Sequence, residues 1–428
     1  MQPLDAAQRF LNRLPRPARI LVAISGGSDS TGLLAALHRA ARGGHSLCAV
    51  TIDHALRPES ASEAETVAAL CASLGISHAT LRWEGAKPES RLSEAARLAR
   101  YRLLKQAAAR FSADLVVTAH TADDQDETVL MRAARSARAE NAGLSGMAEA
   151  VFYDRSIWIA RPFLDVRRRA IRDFLAGEGM GWIDDPTNDD PHYERVRIRR
   201  ALAAGEATVP DVAFAAQERR RLAVAAAEWL ERHAVLRSAV LARIAPEGLD
   251  APPDVLRVAL SGLVAMLGGR ENGPARNAMN RLLAMIGDGR PGRMTLSRVF
   301  VALRRDGLYL MRELRGLPEM TVASGAEGVW DGRFRVANPS AGPLTVVPAP
   351  APDDARVAAL FPGMPVSLAR RAAQAMPCIS GAKHPDEAPF EPRIAACDLF
   401  LPLFDLRLAN ALAGLAGRTP FTEPAFSR

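Results

Sequence analysis

Cysteine, lysine and aromatic residues are scarce in this 428-residue chain, and long apolar runs are missing. The four cysteines, Cys48, Cys71, Cys378 and Cys397, lie far apart and form no C-x-x-C pair. That spacing excludes the usual zinc-ribbon and iron–sulfur patterns. It points to buried free thiols in a reducing compartment. No apolar stretch approaches the roughly 18 residues that a membrane helix needs, so no membrane partner is expected. Met1-Gln2-Pro3-Leu4-Asp5 lacks a charged-then-apolar leader pattern, and a cytoplasmic address is expected. Of the 55 basic residues only Lys87, Lys105 and Lys383 are lysine. The net charge of +7 is therefore carried by arginine, whose planar fork matches phosphate oxygens. Compositional bias is the plain alternative, since alanine is abundant too.

The chain is too long for one ordinary core, so two or three domains are expected. Strand-like runs at Ile20–Ile24, Leu47–Ile52, Ser77–Leu81, Leu115–Thr118 and Ile157–Ala160 alternate with helical stretches near 30–41, 60–74, 92–110, 124–135 and 166–178. This predicts an α/β fold: an N-terminal doubly wound, mainly parallel sheet with helices on both faces. A helical domain and a smaller mixed α/β C-terminal region should follow, with boundaries at 1–205, 206–290 and 291–428. One long helix is expected over about 212–245, ended by Pro246. A β-hairpin is expected over 294–313 with Asp306-Gly307 at its turn, a second strand pair near 329–347, and a linker at Pro348–Pro352.

Ser25-Gly26-Gly27-Ser28-Asp29-Ser30 sits between the first strand and the first helix of that sheet. Glycines let the backbone approach a ligand closely, and a helix start presents unpaired N–H groups that attract phosphate. Ligands in such folds bind at the carboxyl ends of strands. Asp53, His54 and Arg57 follow the second strand, and His120 follows the fourth. Asp123, Asp124, Asp126 and Glu127 come next. Four carboxylates so close repel one another unless a cation lies among them. Mg²⁺ bound to one or two carboxylates and a nucleotide's phosphates is one such cation. A helix start favoured by the macrodipole is the structural alternative. Glu94, Arg97 and Arg100 read either as a helical salt-bridge ladder or as arginines aimed at phosphate. Arg167-Arg168-Arg169, Arg172 and the run Arg195 to Arg200 flank an aromatic and acidic turn, Trp182 through Asp190. They suit either RNA docking or solvated helix faces.

The Ser25–Ser30 motif resembles the SGGxDS signature of PP-loop ATPases, which cut ATP between its α- and β-phosphates. Asp53 through Arg57, Glu94 through Tyr101, His120 through Thr128, Arg161-Pro162 and Trp182 through Asn188 together resemble the tRNA(Ile)-lysidine synthetase family. The likeness is close over about 15–200 and weaker beyond, at Met294–Glu313 and Leu401–Leu412. Two segments depart from the family pattern. Arg135–Leu144 replaces a glycine- and serine-rich turn, and Val196 stands where the family tends to have asparagine.

The resemblance implies a ligase that joins free L-lysine to carbon 2 of the wobble cytidine of an isoleucine tRNA bearing a CAU anticodon. The reaction passes through an adenylated cytidine and releases pyrophosphate and AMP; it changes the tRNA's specificity from methionine to isoleucine. It also implies ATP and Mg²⁺ as cofactors and allows a homodimer. Ser25, Gly26, Gly27, Ser28, Asp29, Ser30, Asp53 and Arg57 would bind ATP. Asp29 and Asp123 would hold the metal. Asp29, Asp53, His54, Arg97, His120, Asp123, Asp124, Glu127 and Arg199 would serve the chemistry, with Arg97, His120 and Arg199 stabilising developing charge. Asp123 and Asp124 are the candidates for deprotonating lysine. A tRNA thiolase of the same PP-loop class is the alternative, and the lack of paired cysteines weighs against it.

Overall fold

The computed structural model describes the chain apart from residues 16, 42–43, 57–58, 135–141, 185–193, 205–206, 381–389 and 427–428. The fold divides into two compact units, Met1–Glu218 with Thr422–Arg428, and Arg219–Phe421. Among the described residues no helix is long and apolar enough to cross a membrane.

The first unit runs α1 (Pro3–Asn12), β1 (Arg19–Ala23), α2 (Ser28–Ala40), β2 (Ser46–Asp53), α3 (Ser60–Ser73), β3 (Ser77–Arg82), α4 (Leu92–Phe111), β4 (Leu115–Val117), α5 (Ala122–Ala134), β5 (Ala150–Tyr153), β6 (Ile157–Ala160), α6 (Arg168–Gly177) and α7 (Glu194–Ala203). Its strands lie in the order β5-β6-β4-β1-β2-β3. β1, β2, β3, β4 and β6 are parallel, and β5 pairs antiparallel with β6. Continuous apolar runs such as Ile20-Leu21-Val22 and Leu115-Val116-Val117 are buried on both faces, as parallel strands require. The sequence expectation missed β5, whose alternation is hidden because all four residues are buried. From β1 the chain builds outward to β2 and β3, then returns to place β4 on the other side. The strand order therefore reverses between β1 and β4, where a crevice opens at the carboxyl ends. The chain's end belongs to this unit: Phe426 packs against Phe10 at 5.8 Å, and Trp158 Nε1 donates to the Thr422 carbonyl.

α8 (Val212–His233) leads into the second unit. The single helix expected over 212–245 ends at His233. A hairpin of β7 (Ala234–Arg237) and β8 (Leu241–Ile244) follows, turning through the left-handed residues Ser238 and Ala239. Leu236 and Val240 mimic helical spacing, but β8 is drawn into a sheet. That sheet has the order β7-β8-β11-β10-β9. The unit continues with α9 (Pro253–Gly268), α10 (Arg276–Gly287), β9 (Gly292–Leu296), β10 (Val299–Arg304) and β11 (Gly307–Arg312). The hairpin expected at 294–313 is thus the last two strands of a meander. Arg304 pairs with Gly307, so Arg305-Asp306 forms the turn. β12 (Met320–Val322), β13 (Glu327–Trp330), β14 (Phe334–Ala337), β15 (Leu344–Pro348), α11 (Asp354–Leu360), α12 (Val366–Gln374), β16 (Pro377–Ile379), β17 (Phe390–Pro392) and α13 (Leu406–Leu415) complete it. They form two three-stranded sheets, β12-β15-β16 and β13-β14-β17. The pair expected near 329–347 is split between them. Pro348–Pro352 lies within this unit, with Ala349 N donating to the Met376 carbonyl. Trp330, Tyr309, Phe334 and Phe361 centre its core.

Candidate active site

A cleft of about 790 Å³ opens at the carboxyl ends of β1, β2 and β4. Its floor is the loop between β1 and α2. Gly26 adopts φ +88°, and a Cβ there would stand 2.6 Å from Ile183 Cδ1. The Gly26 carbonyl accepts from Ile183 N at 2.9 Å and Thr31 Oγ1 at 3.1 Å. Ser30 Oγ donates to the Gly27 carbonyl and accepts from Ser25 N, both at 3.1 Å. These bonds fold the loop tightly around the start of α2. Gly27 caps α2 without a side-chain bond, so no side chain competes for the N–H groups of the first turn. Ser25, Gly27, Ser28, Asp29 and Ser30 line the cleft.

β2 contributes two residues that the structure separates. His54 lines the cleft with its ring edge-on to Trp83 at 6.1 Å, and its buried Nδ1 has no hydrogen-bond partner among the described residues. Burial, then the Arg100 charge, pushes His54 below the usual imidazole range, so the ring is neutral. Asp53 does not line the cleft. Its Oδ1 accepts from Ala55 N at 2.7 Å, shaping the turn after β2 through the left-handed Ala55. Arg57 lies outside the described residues.

β4 delivers His120 and α5. Thr121 and Asp124 form a reciprocal cap: Asp124 Oδ2 accepts from Thr121 N and Oγ1 at 2.8 Å, and Asp124 N donates to Thr121 Oγ1 at 3.3 Å. Arginines of the chain itself stand among these carboxylates. Asp124 Oδ1 meets Arg168 at 3.3 Å and Arg195 at 3.2 Å. Glu127 meets Arg195 at 2.7 Å and Arg199 at 2.8 Å. Asp126 meets Arg167 at 2.5 Å, and Asp29 meets Arg168 Nε at 2.9 Å. Asp123 Oδ2 accepts from the backbone N–H of Arg168 at 2.9 Å, capping α6. Asp123 and Glu127 do not line the cleft; Asp124, Arg168, Arg195 and Arg199 do. Burial raises the Asp29 pKa above the usual carboxylate range, against the opposing pull of Arg168.

The arginine runs therefore divide. Arg167, Arg168, Arg195 and Arg199 turn onto carboxylates, leaving neither RNA docking nor simple solvation as the whole account of them. Arg97 stands over Tyr101 at 5.0 Å and does not line the cleft, whereas Arg100 does. Buried Arg161 donates to Tyr101 Oη at 3.4 Å and to the Ala148 carbonyl at 2.7 Å. Burial, then Arg161, Arg100, Arg195 and Arg97, drives His120 well below the usual imidazole range. His120 is thus a neutral ring beside Thr118 Oγ1 at 3.0 Å. Val196 is buried on α7, filling with apolar surface the place where a hydrogen-bonding asparagine is the family tendency. Residues 135–141 of the other departing segment lie outside the described residues. Arg100, Arg168, Arg172 and Arg195, which the sequence places in its arginine runs but not among the expected catalytic or ATP-binding residues, all line the cleft. The i,i+4 spacing of Arg195 and Arg199, facing Glu127, was the available signal.

A family model described as a PP-loop domain matches residues 4–205. Proteins named tRNA(Ile)-lysidine synthase are similar along nearly the whole chain. The one from Rhizobium meliloti is 44% identical, covering 98% of this chain and 96% of its own length. That from Mesorhizobium japonicum is 42% identical over 97% and 96%, and that from Brucella melitensis 36% over 95% and 96%. Among solved structures, a U34-tRNA thiolase from Methanococcus maripaludis is 12% identical with a TM-score of 0.40, covering 49% of this chain and 75% of that one.

Proposed function

This chain belongs to the tRNA(Ile)-lysidine synthase family, and from that premise we propose how the cleft performs the family's reaction. The enzyme is an ATP-using ligase that modifies the wobble cytidine of isoleucine tRNA. One observation carries the reading: the phosphate-type loop at Ser25–Ser30 and the carboxylates Asp29 and Asp124 line the same cleft. A triphosphate and an amine can therefore meet there. The thiolase alternative is set aside, since the described chain offers four separate, buried, free cysteines and its relatives carry the synthase name.

Ser25, Gly27, Ser28 and Ser30 would hold the pyrophosphate end through hydroxyl and N–H groups. Arg100 and Arg172 on the cleft wall would meet the remaining negative charge. Cytosine's carbon-2 oxygen is a weak nucleophile, so alignment and charge neutralisation carry its attack on the α-phosphate. Pyrophosphate leaves, and the lysine amine then displaces AMP from carbon 2. Asp124, which lines the cleft, would orient that amine. It is better placed than Asp123 to take its proton, because Asp124 lines the cleft and Asp123 does not. His54 and His120, both neutral, can bond to base or ribose without adding charge.

Mg²⁺ fits in one way. It accepts a single protein carboxylate beside phosphate oxygens, and Asp29 lines the cleft while Asp123 does not. Bound there, the ion would neutralise phosphate charge. Free L-lysine as co-substrate, a cytoplasmic address and a homodimer complete the proposal. All three rest on the family likeness.

The test is incubation with ATP, labelled lysine and an isoleucine tRNA transcript with a CAU anticodon. Label should appear on the tRNA. Unlabelled tRNA beside an active control enzyme would refute the reading.

A further inference from the structure

One guanidinium joins the two halves of this site. Arg168 opens α6, and its backbone N–H is capped by Asp123 of α5 at 2.9 Å. Its side chain then spans the cleft floor. Nε reaches Asp29 at 2.9 Å, Nη2 reaches Asp124 at 3.3 Å, and Nη1 lies 3.9 Å from Glu127. The helix behind it is fixed. Ile171 stands 2.2 Å from where a Cβ on Gly32 of α2 would lie, so only glycine lets α2 and α6 approach this closely. Ala122 N donates to the Val166 carbonyl at 3.0 Å, and Arg167 binds Asp126. Arg168 is thus held by its own backbone, its neighbour and the next helical turn.

The three carboxylates depend on it unequally. Asp124 also has Arg195, and Glu127 has both Arg195 and Arg199. Among the described residues, Arg168 is the one cation paired with Asp29. We propose that Arg168 is a positioning residue that fixes Asp29 on the phosphate loop relative to Asp124 on α5, so that phosphate activation and amine attack occur in one register. The proposal rests on the reaction assigned above. It goes beyond that assignment in giving the two carboxylates a common ruler. Only a planar fork can serve, because a lysine ammonium is a point charge that cannot bridge two fixed acids with the same geometry.

The two steps can be read separately: pyrophosphate release with tRNA and ATP but no lysine, then lysine transfer. Arg168→Gln should lower the rate of pyrophosphate release about 100-fold, with KM for ATP within about threefold of wild type. Transfer from preformed adenylated tRNA should fall less, about tenfold, because Asp124 keeps Arg195. Arg168→Lys should recover about tenfold of the first step and not all of it. In the pyrophosphate-release step the double variant R168Q/D29N should be no slower than D29N, since there Arg168 acts through Asp29. Rates within about threefold of wild type in R168Q, or losses that multiply in the double variant, would overturn the proposal. If R168Q does not fold, by its melting curve, R168K and R168K/D29N carry the same cycle. Wild-type enzyme runs alongside. A wild type that labels tRNA while R168Q does so equally well refutes Arg168's role alone. A wild type that labels nothing refutes the reaction, and this role with it.

Discussion

Replacing Glu127 with glutamine removes a carboxylate that Arg195 and Arg199 hold closely and that Arg168 approaches at 3.9 Å. Glu127 is 1% exposed, while Arg195 and Arg199 are 43% and 36% exposed. Breaking a fully buried ion pair costs about 3–5 kcal/mol, mostly through the charge left stranded. Here the stranded charges are guanidiniums that remain hydrated. The loss is then closer to that of a charged hydrogen bond, about 1.5–3 kcal/mol. Glutamine keeps the volume and one acceptor oxygen, which argues for about 2 kcal/mol. For a unit of this size each kcal/mol moves the melting temperature by about 2–4 °C, so E127Q should melt about 4–8 °C lower. Rate should fall too, since the same bonds hold Arg195 and Arg199 at the cleft wall. Calorimetry and the two-step assay read both. An E127Q protein that melts within about 1 °C of wild type and turns over normally would show that these contacts position nothing. The prediction rests on geometry: Glu127 is buried, does not line the cleft and is paired with arginines that do.

Asp331 in the second unit offers the opposite limit. It is fully buried against Arg312 and Arg333, which are 1% and 3% exposed, with contacts of 2.9 and 2.6 Å and a further one to Arg298. Asparagine tolerates the left-handed backbone that Asp331 adopts at φ 51°, so D331N isolates the charge. It should cost about 3–5 kcal/mol, read as a lower urea midpoint for this unit; a loss below about 1 kcal/mol would refute the account. His120 sets a pH dependence. Its folded pKa lies well below the ordinary value of 6.5, so the unfolded chain binds more protons in the interval between the two. Stability should be fully present above 6.5 and fall as pH drops through that interval. H120Q should flatten the fall between pH 7.5 and 5.5, leaving the His54 and His78 shares; an unchanged slope would count against it.

Much of the first unit was legible because its strands are short apolar runs and its helices are punctuated by turn residues. The observed α2, α3, α4, α5 and α6 each begin and end within two residues of the expected stretches. What escaped was structure decided by distant partners. β5 is uniformly buried, so it shows no alternation. The segment 234–244 carries helical spacing, yet Leu241 through Ile244 pair with Leu308 through Met311 in a sheet. Alanine-rich sequence favours helix weakly, and tertiary pairing overrides it.

At the site, the motif residues were legible and their partners were not. Ser25–Ser30, His54, His120 and Asp124 announce themselves by standing after strands. Arg168 lies 139 residues from Asp29, and Arg195 lies 68 from Glu127. Nothing local joins them. Charge balance could have suggested the pairing. In a chain of net charge +7, four carboxylates within five residues are drawn first toward guanidiniums, which are plentiful and covalently delivered. Asp29, Asp124 and Glu127 are matched by Arg168, Arg195 and Arg199, three against three. These six side chains are paired among themselves at and beneath the cleft. In the proposed reaction a triphosphate would then be met by charge outside this set: Arg100, Arg172, the loop's N–H groups and the Mg²⁺ proposed at Asp29. An incoming ammonium or metal ion, in turn, must share a carboxylate with an arginine already in place. The acidic run thus marks where arginines turn inward.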